Sequence, residues 1–165
     1  MKTIILAISD SDKHFQTAIQ EYQKRLGKKV ECIMLKPAVG SSPDEMKQRD
    51  TKHIQEILEK KYSDFDKILL GKDECRDEAC LVRDVHGQRT IKSITTDWFV
   101  GQVKKHTDMI FIIGWPYGLI EENLSSIDAK ISFGSITMPH GLAKLVLLEQ
   151  LYRADMIVQG RSYHY

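Results

Sequence analysis

The stretch DMIFIIGWPYGL, residues 108–119, decides the fold class of this chain. It contains five successive apolar residues, 109–113, which run directly into Gly114. A segment that is apolar at every position is typical of a strand buried on both faces, and such strands belong to parallel sheets covered by helices. Two glycines and a proline within five residues then indicate a turn. The stretch therefore predicts a buried strand that ends at a glycine turn.

Other apolar segments extend this pattern along the chain. Predicted strands and predicted helices alternate, which is typical of an α/β fold with a mostly parallel sheet covered by helices. We expect about five strands and a single domain over residues 1–165. Besides 109–114, the predicted strands are 3–9, 29–35, 67–70 and 131–138. The predicted helices are 15–26, one from Ser42–Pro43, one from about Thr95, a short one at 119–129, and 139–154, with a loop or small hairpin at 71–94.

Composition sets limits on function. Hydrophobic residues make up 42% of the chain and charged residues 28%, as in ordinary globular proteins, and the net charge of +1 is too small to indicate an RNA-binding protein by itself. No apolar run approaches 18 residues, so we expect no membrane span and a cytoplasmic protein. Cys32, Cys75 and Cys80 are an odd set without disulfide spacing. Cys75 and Cys80 with His86 match no zinc pattern, so no metal site is expected.

Two predicted strand ends are rich in turn residues, namely 114–118 and 133–140. In open α/β sheets, ligands bind beyond the carboxyl ends of the strands, and glycine allows a ligand to approach the backbone closely. Neither segment contains a dinucleotide fingerprint or a phosphate-binding loop, which disfavours a flavodoxin-like nucleotide-binding protein. A purely structural turn remains the alternative at both places.

The helix at 139–154 is apolar around most of its circumference, so it is either internal or part of a subunit interface. We favour a homodimer interface. Glu149 and Arg153 are spaced to form an i,i+4 ion pair. The last five residues, Arg161–Tyr165, are either disordered or docked so that His164 faces a cleft. The apolar positions of the helix are Leu142, Leu145, Val146, Leu147, Leu148 and Leu151.

Several motifs together resemble one known family. The chain is similar to the ribosomal RNA large-subunit methyltransferase H family, small proteins of the SPOUT superfamily that methylate N3 of a pseudouridine in large-subunit RNA. The resemblance runs from end to end and is most specific at 133–154, where Pro139-His140 precedes a helix of the form L-x-E-Q-x-Y-R-A. The matching motifs are TIILAIS (3–9), AIQEYQKRLG (18–27), FIIGWPYGL (111–119), SITMPHGLAKLVLLEQLYRA (135–154) and Tyr163-His164.

The resemblance implies a C-terminal trefoil knot that binds S-adenosylmethionine, and a homodimer with the active site at its interface. It also implies that the partner is the ribosome or its large-subunit RNA. The positions that match the family's cofactor site are Leu70, Gly114, Phe133, Gly134, Ser135, Ile136, Thr137, Met138 and Pro139.

The resemblance also implies catalytic and substrate-binding residues. His140 or His164 is expected to accept the N3 proton, with Arg153 stabilising the developing anion. A capping role at the start of the last helix is the alternative for His140. The residues expected to contact substrate are Lys144, Tyr152 and Tyr163, and Tyr163 and Tyr165 are expected to stack on the target base.

Some positions depart from the family pattern. Trp115 stands where the family has a second glycine, Tyr117 replaces a polar or acidic residue, and Lys144 replaces an arginine, so that a planar donor becomes a point charge. Residues 71–89 carry an insertion of roughly ten residues relative to the family. Trp115 motivates a second hypothesis, in which the chain is a non-catalytic ribosome-binding or assembly protein that retains the fold.

Overall fold

A computed structural model of the chain describes residues 1–9, 13–71, 81–83, 89–91, 94–114, 118–124, 127–134, 136 and 138–163. At 81–83 and 89–91 it describes the backbone alone. The strands are β1 Thr3–Ile8, β2 Val30–Leu35, β3 Asp66–Leu70, β4 Leu81–Arg83, β5 Arg89–Ile91, β6 Met109–Ile113 and β7 Ala129–Ile131. The helices are α1 Gln16–Leu26, α2 Pro43–Lys61, α3 Thr96–Lys105 and α4 His140–Val158, with single 3₁₀ turns at Gly27–Lys29 and Glu121–Asn123.

Five strands form one parallel sheet in the order β2-β1-β6-β3-β7. The predicted strand at 109–113 lies at the centre of the sheet, since Phe111 pairs with Ile5 on one side and Ile68 on the other. Strands β4 and β5 form a separate antiparallel hairpin. Of the two alternatives for 71–94, a loop or a small hairpin, the structure contains the hairpin. The α/β class and the parallel sheet are therefore confirmed, and the trefoil knot stays a prediction.

The central strand is apolar throughout because helices cover both faces of the sheet. Phe111 packs with Phe99 of α3 and Leu147 of α4 on one face. Ile110 and Ile112 pack on the other face with residues of α2 such as Ile54. Successive side chains of a strand point to opposite faces, so burial on both sides requires an apolar residue at every position.

Two helix starts are confirmed by their capping geometry. Ser42 precedes α2, and its Oγ accepts a hydrogen bond from the Glu45 backbone N–H at 3.2 Å, with Pro43 at the first helical position. Thr95 precedes α3, and its Oγ1 accepts from the Trp98 N–H at 3.4 Å. These side chains bind backbone donors that have no partner inside the helix. Helix α1 begins at Gln16, one residue after the predicted start at Phe15.

The region between β6 and α4 differs from its sequence-based interpretation. The helix predicted at 119–129 is wrong, because among the described residues 119–124 and 127–129 only the turn Glu121–Asn123 is helical. The strand predicted at 131–138 is β7, which ends at Ile131. Its one described partner, β3, ends at Leu70, opposite Ile131, so the ladder has no further residue to pair with.

Helix α4 is longer than expected. It continues to Val158 rather than ending near Ala154, and the chain leaves it at Gly160, whose φ of 67° is left-handed. Glycine is the residue that adopts this conformation without a steric cost, so it ends the helix there. Among the helices that the structure describes, none is long and apolar enough to cross a membrane.

Candidate functional site

Three strand ends meet at one edge of the sheet. Leu70, the last residue of β3, pairs with Ile113 of β6 on one side and with Ile131 of β7 on the other. The Gly71 N–H also donates to the Ile131 carbonyl at 2.9 Å. Leu70, Gly114 and the segment after β7 are therefore brought together, as expected for the cofactor positions. We refer to this region as the carboxyl edge.

Gly114 is packed tightly by the chain that returns after the turn. A Cβ atom at Gly114 would lie 3.2 Å from Leu119 Cγ, and Leu119 is buried. Contacts of that length are tighter than ordinary Cβ contacts, so a side chain at Gly114 would require Leu119 to shift by a few tenths of an ångström. Gly118, with φ of 78°, adopts a left-handed conformation just before Leu119. Trp115 and Tyr117, the departures from the family pattern that fall in this turn, lie outside the described residues.

The end of this turn is held by α2. Thr51 is 1% exposed, and its Oγ1 accepts a hydrogen bond from the Ile120 N–H at 3.0 Å while donating to the Lys47 carbonyl at 2.7 Å. Sequence reasoning missed Thr51. The signal was its spacing, since Thr51 falls on the same helical face as the buried residues Ile54 and Leu58. A hydroxyl on a buried face requires a partner, and the partner is the turn.

Asp50 anchors a second loop next to this one. It is 2% exposed, and Oδ1 accepts from the Ala38 N–H at 2.8 Å, which ties the loop after β2 to α2. Its Oδ2 has no hydrogen-bond partner within the described part of the chain. Burial raises the pKa of this carboxyl, and the hydrogen bond from Ala38 opposes that shift only in part.

The described residues between β7 and α4 form no helix or strand and are partly exposed to solvent. Ser132 Oγ accepts from the Gly134 N–H at 3.2 Å and donates to the Gly134 carbonyl at 3.0 Å. Gly134 has φ of 103°, and no atom of the described residues lies within 4 Å of the position a Cβ would occupy. Ile136 is 74% exposed. This segment provides backbone groups and an apolar side chain on the ligand-bearing edge.

The remaining predicted cofactor residues flank that loop. Phe133 and Met138 are half-buried, and Pro139 is exposed. Pro139 precedes α4, and its carbonyl accepts the Ala143 N–H at 3.0 Å. Ser135 and Thr137 lie outside the described residues.

The predicted catalytic and substrate residues lie on α4 and just beyond it. His140 is the first residue of the helix and is half-buried, so the carboxyl edge leads directly into it. Lys144, one turn later, is buried, and its Nζ lies 3.8 Å from the Met34 sulfur of β2. A substrate role for Lys144 stays a prediction, as does the role of His140. His164 lies outside the described residues.

The ion pair expected between Glu149 and Arg153 is confirmed. Glu149 Oε1 accepts from Arg153 Nη2 at 2.7 Å and from Nε at 3.0 Å. The hydrogen bond to this carboxylate raises the pKa of the Arg153 guanidinium, so the positive charge persists at all practical pH values. The Tyr163 hydroxyl donates to the same Oε1 at 3.3 Å.

The chain after α4 is docked as far as Tyr163. The Tyr163 ring lies edge-on to Tyr152 at 5.3 Å, and the Arg153 guanidinium lies 4.9 Å from the Tyr163 ring centre. Burial, with the neighbouring Tyr22 hydroxyl and Glu149, raises the pKa of the Tyr163 phenol to about 12. The hydroxyl is therefore protonated at neutral pH and acts as a hydrogen-bond donor. Of the two alternatives for the tail, docking is the correct one for residues up to Tyr163.

In the part of the chain that the structure describes, no group of three or more His, Cys, Asp or Glu side chains is arranged to hold a metal ion. Cys75, Cys80 and His86, the residues weighed for such a site, lie outside it.

Comparison with known proteins gives matches over nearly the whole chain. Residues 1–164 match the protein family described as "Predicted SPOUT methyltransferase". Three relatives share the name ribosomal RNA large subunit methyltransferase H. That of Lactiplantibacillus plantarum is 35% identical and that of Limosilactobacillus reuteri 33% identical, each over 93% of this chain and 92% of the relative. That of Thermotoga neapolitana is 30% identical over the full length of both chains.

Proposed function

The chain belongs to the SPOUT methyltransferase family, and from this premise we propose that it transfers a methyl group from S-adenosylmethionine to ribosomal RNA. The proposed acceptor is N3 of a pseudouridine in the large-subunit RNA, and the proposed substrate is the assembled ribosome in the cytoplasm. The names of the relatives support the RNA substrate. The observation that carries the proposal is the meeting of Leu70, Gly114 and the segment after β7 at one edge of the sheet.

The carboxyl edge fits S-adenosylmethionine. The adenosine part requires backbone hydrogen-bonding groups and apolar walls, and this edge supplies loop backbone with Leu70, Phe133 and Ile136. Gly114 and Gly134 keep side chains away from the places where the backbone would contact a ligand. We propose that the knot implied by the family brings Ser135 and Thr137 to the same place.

The bound S-adenosylmethionine supplies an electrophilic methyl group on a sulfonium centre. This chain's own residues would orient the base and manage its N3 proton. Arg153 carries a permanent positive charge and is suited to stabilise an anion on the ring. The ring of Tyr163, whose hydroxyl donates to Glu149, is suited to stack on the target base. His140 and His164 remain the proposed proton acceptors.

The length of α4 supports the proposal of a homodimer. His140, at the carboxyl edge, is thirteen residues before Arg153 on the same helix, which places them about 20 Å apart along the axis at 1.5 Å per residue. Groups that act on one base must lie within hydrogen-bonding reach of it. We therefore propose that Arg153 and Tyr163 serve the carboxyl edge of a second copy of the chain, and that α4 forms part of the interface.

The first test is binding. Calorimetry with S-adenosylmethionine should show saturable binding. Absence of binding at millimolar ligand would refute the proposed methyltransferase activity. That same outcome, with ribosome binding retained, would favour the non-catalytic ribosome-binding or assembly protein, for which Trp115 in the glycine turn is the motivating residue.

The second test is the substrate. With labelled cofactor, assembled ribosomes should be methylated better than naked RNA, because a net charge of +1 provides little attraction for free RNA. Equal activity on short naked RNA would contradict this expectation. Mapping modified nucleotides in cells with and without the gene identifies the acceptor position.

A further inference from the structure

Helix α1 contributes two side chains to the proposed substrate region. The Arg25 guanidinium lies 5.6 Å from the Tyr22 ring centre and 5.7 Å from that of Tyr152 on α4. The Tyr22 and Tyr152 rings are themselves in edge contact at 5.9 Å. Because Tyr152 also contacts Tyr163, α1 is continuous with the residues proposed to bind substrate.

These contacts form one surface with alternating chemistry, which we call the tyrosine–arginine surface. It consists of three rings and two guanidiniums, with Arg25 against Tyr22 and Tyr152, and Arg153 against Tyr163. Its members are Tyr22, Arg25, Tyr152, Arg153 and Tyr163. Aromatic rings and guanidinium planes are the groups on which unpaired RNA bases stack, and guanidinium also binds phosphate.

The two guanidiniums differ in how their charge is used. Arg153 is held against the partly buried Glu149, whereas Arg25 is 46% exposed and pairs with Glu21 in solvent at 3.0 Å. A surface pair of this kind contributes little and exchanges readily for another anion. Arg25 is therefore the member of the surface whose charge is accessible to a large ligand.

Positive charge is concentrated around Arg25. Residues 21–29 contain four basic residues and one acidic residue, in a chain whose total charge is +1. Lys24 and Lys28 are exposed beside Arg25, and Lys29 reaches across to Asp155 of α4 at 2.7 Å. The basic segment thus borders the tyrosine–arginine surface, and it gives a mildly charged protein a local attraction for a polyanion.

We propose that Tyr22 and Arg25 bind the RNA strand beside the target nucleotide. Arg25 contacts a phosphate and Tyr22 packs against an adjoining base, so α1 selects and holds the strand whose nucleotide is modified. The inference rests on the proposed function. It favours RNA over a second copy of the chain as the occupant, because a two-fold contact here would bring the basic residues of two α1 helices together.

Arg25→Gln tests the proposal with a matched control. Arg49 also pairs with a glutamate one turn earlier, Glu45, and is 58% exposed, but it lies on α2, on the other side of the sheet. Sedimentation with ribosomes, from a strain that lacks the gene, measures binding without requiring methyl transfer. Calorimetry with S-adenosylmethionine and light scattering measure cofactor affinity and oligomeric state.

We expect Arg25→Gln to weaken ribosome binding about fivefold or more and to lower the salt dependence, the slope of log K against log salt, by roughly 0.7 to 0.9, the contribution of one phosphate contact. Arg49→Gln should leave both within about twofold of wild type. Tyr22→Leu should weaken binding about fivefold, as loss of one stacked base does, and Tyr22→Phe should not. Cofactor affinity and oligomeric state should stay unchanged in all four variants.

Two results would overturn the inference. One is an Arg25→Gln protein that binds ribosomes like Arg49→Gln. The other is an Arg25→Gln protein whose oligomeric state changes together with ribosome binding, which would assign the surface to a second copy of the chain. Failure of the proposed function would be a different result: the wild-type protein would not bind S-adenosylmethionine or would not methylate ribosomes. The sedimentation comparison depends on neither property, so the two failures can be distinguished.

Discussion

Replacing Thr51 with valine should loosen the turn that carries Gly114. Valine has nearly the shape of threonine, so packing against Ile54 and Leu58 is kept and the hydroxyl is lost. The Ile120 N–H, bonded to Thr51 Oγ1 at 3.0 Å, then has no acceptor there, whereas the Lys47 carbonyl keeps its helical partner. An unsatisfied backbone donor costs about 1–3 kcal/mol, less where water reaches it, and Ile120 is half-buried.

We therefore expect Thr51→Val to lower the free energy of unfolding by about 1–2 kcal/mol. For a chain of this size, that corresponds to a melting temperature lower by roughly 3–8 °C. Because the lost bond holds the residue after Leu119, and Leu119 packs on Gly114, the affinity for S-adenosylmethionine should fall as well. Calorimetric binding and thermal melting measure the two effects separately.

Thr51→Ser provides the control, because it keeps the hydroxyl and removes a buried methyl group. It should lose about 1 kcal/mol of stability through packing. Its cofactor affinity should equal that of wild type, since Ile120 remains bonded. The reasoning is refuted if the Thr51→Val protein binds S-adenosylmethionine as tightly as wild type, or if Thr51→Ser weakens binding as much as Thr51→Val does.

Three further predictions concern the sites described above. Gly114→Ala should weaken S-adenosylmethionine binding about tenfold or more, since its Cβ would press on Leu119 at 3.2 Å. Gly101→Ala in α3 should instead stabilise the protein by about 0.5–1 kcal/mol, because no atom of the described residues lies within 4 Å of its Cβ position. Equal binding by the two variants would argue against close backbone approach at Gly114. The raised pKa of Asp50 means that the folded state holds its proton more tightly than the unfolded chain, so this group costs stability as pH rises from about 3.9 through its folded pKa. Relative to wild type, Asp50→Asn should therefore become more stable as pH rises through that window, and urea unfolding curves that show a pH-independent difference would contradict this. Arg153→Lys should lower the rate of methyl transfer at least tenfold without changing cofactor affinity, because lysine keeps the charge but loses the two-point contact with Glu149 and the planar contact with Tyr163; unchanged single-turnover rates would exclude a role for the guanidinium plane.

Local chemistry made several parts of the fold predictable. The run 109–113 has no polar residue, so exposing either face to water would cost free energy and burial on both faces was expected. In the structure, β6 is buried at the centre of the sheet. Ser42 and Thr95 marked helix starts because a side-chain oxygen there binds a neighbouring N–H. Glu149 and Arg153 paired because residues four apart on a helix are neighbours. Each of these interactions involves residues close together in sequence or a single repeated pattern.

The same local reasoning failed between β6 and α4. The sequence pattern of 119–129 predicted a helix. In the structure, Leu119 and Leu124 are buried in the core against α2, and Asp128 accepts a hydrogen bond from the Lys67 N–H of β3. Those contacts join residues about sixty positions apart, and no local propensity describes them. They leave room for one 3₁₀ turn rather than a helix.

The sequence by itself determined the α/β class, the buried strand at 109–113, the helix starts near Ser42 and Thr95 and the family resemblance, because these depend on hydrophobic pattern and on motifs read in order. Only the tertiary structure decided that Thr51 holds the Gly114 turn, that Tyr163 docks on Glu149, and that Tyr22 and Arg25 of α1 join Tyr152 on α4. Such partners are chosen by how the helices pack on the sheet. A polar or aromatic side chain shows in sequence that it requires a partner, and the fold alone determines which partner lies within reach.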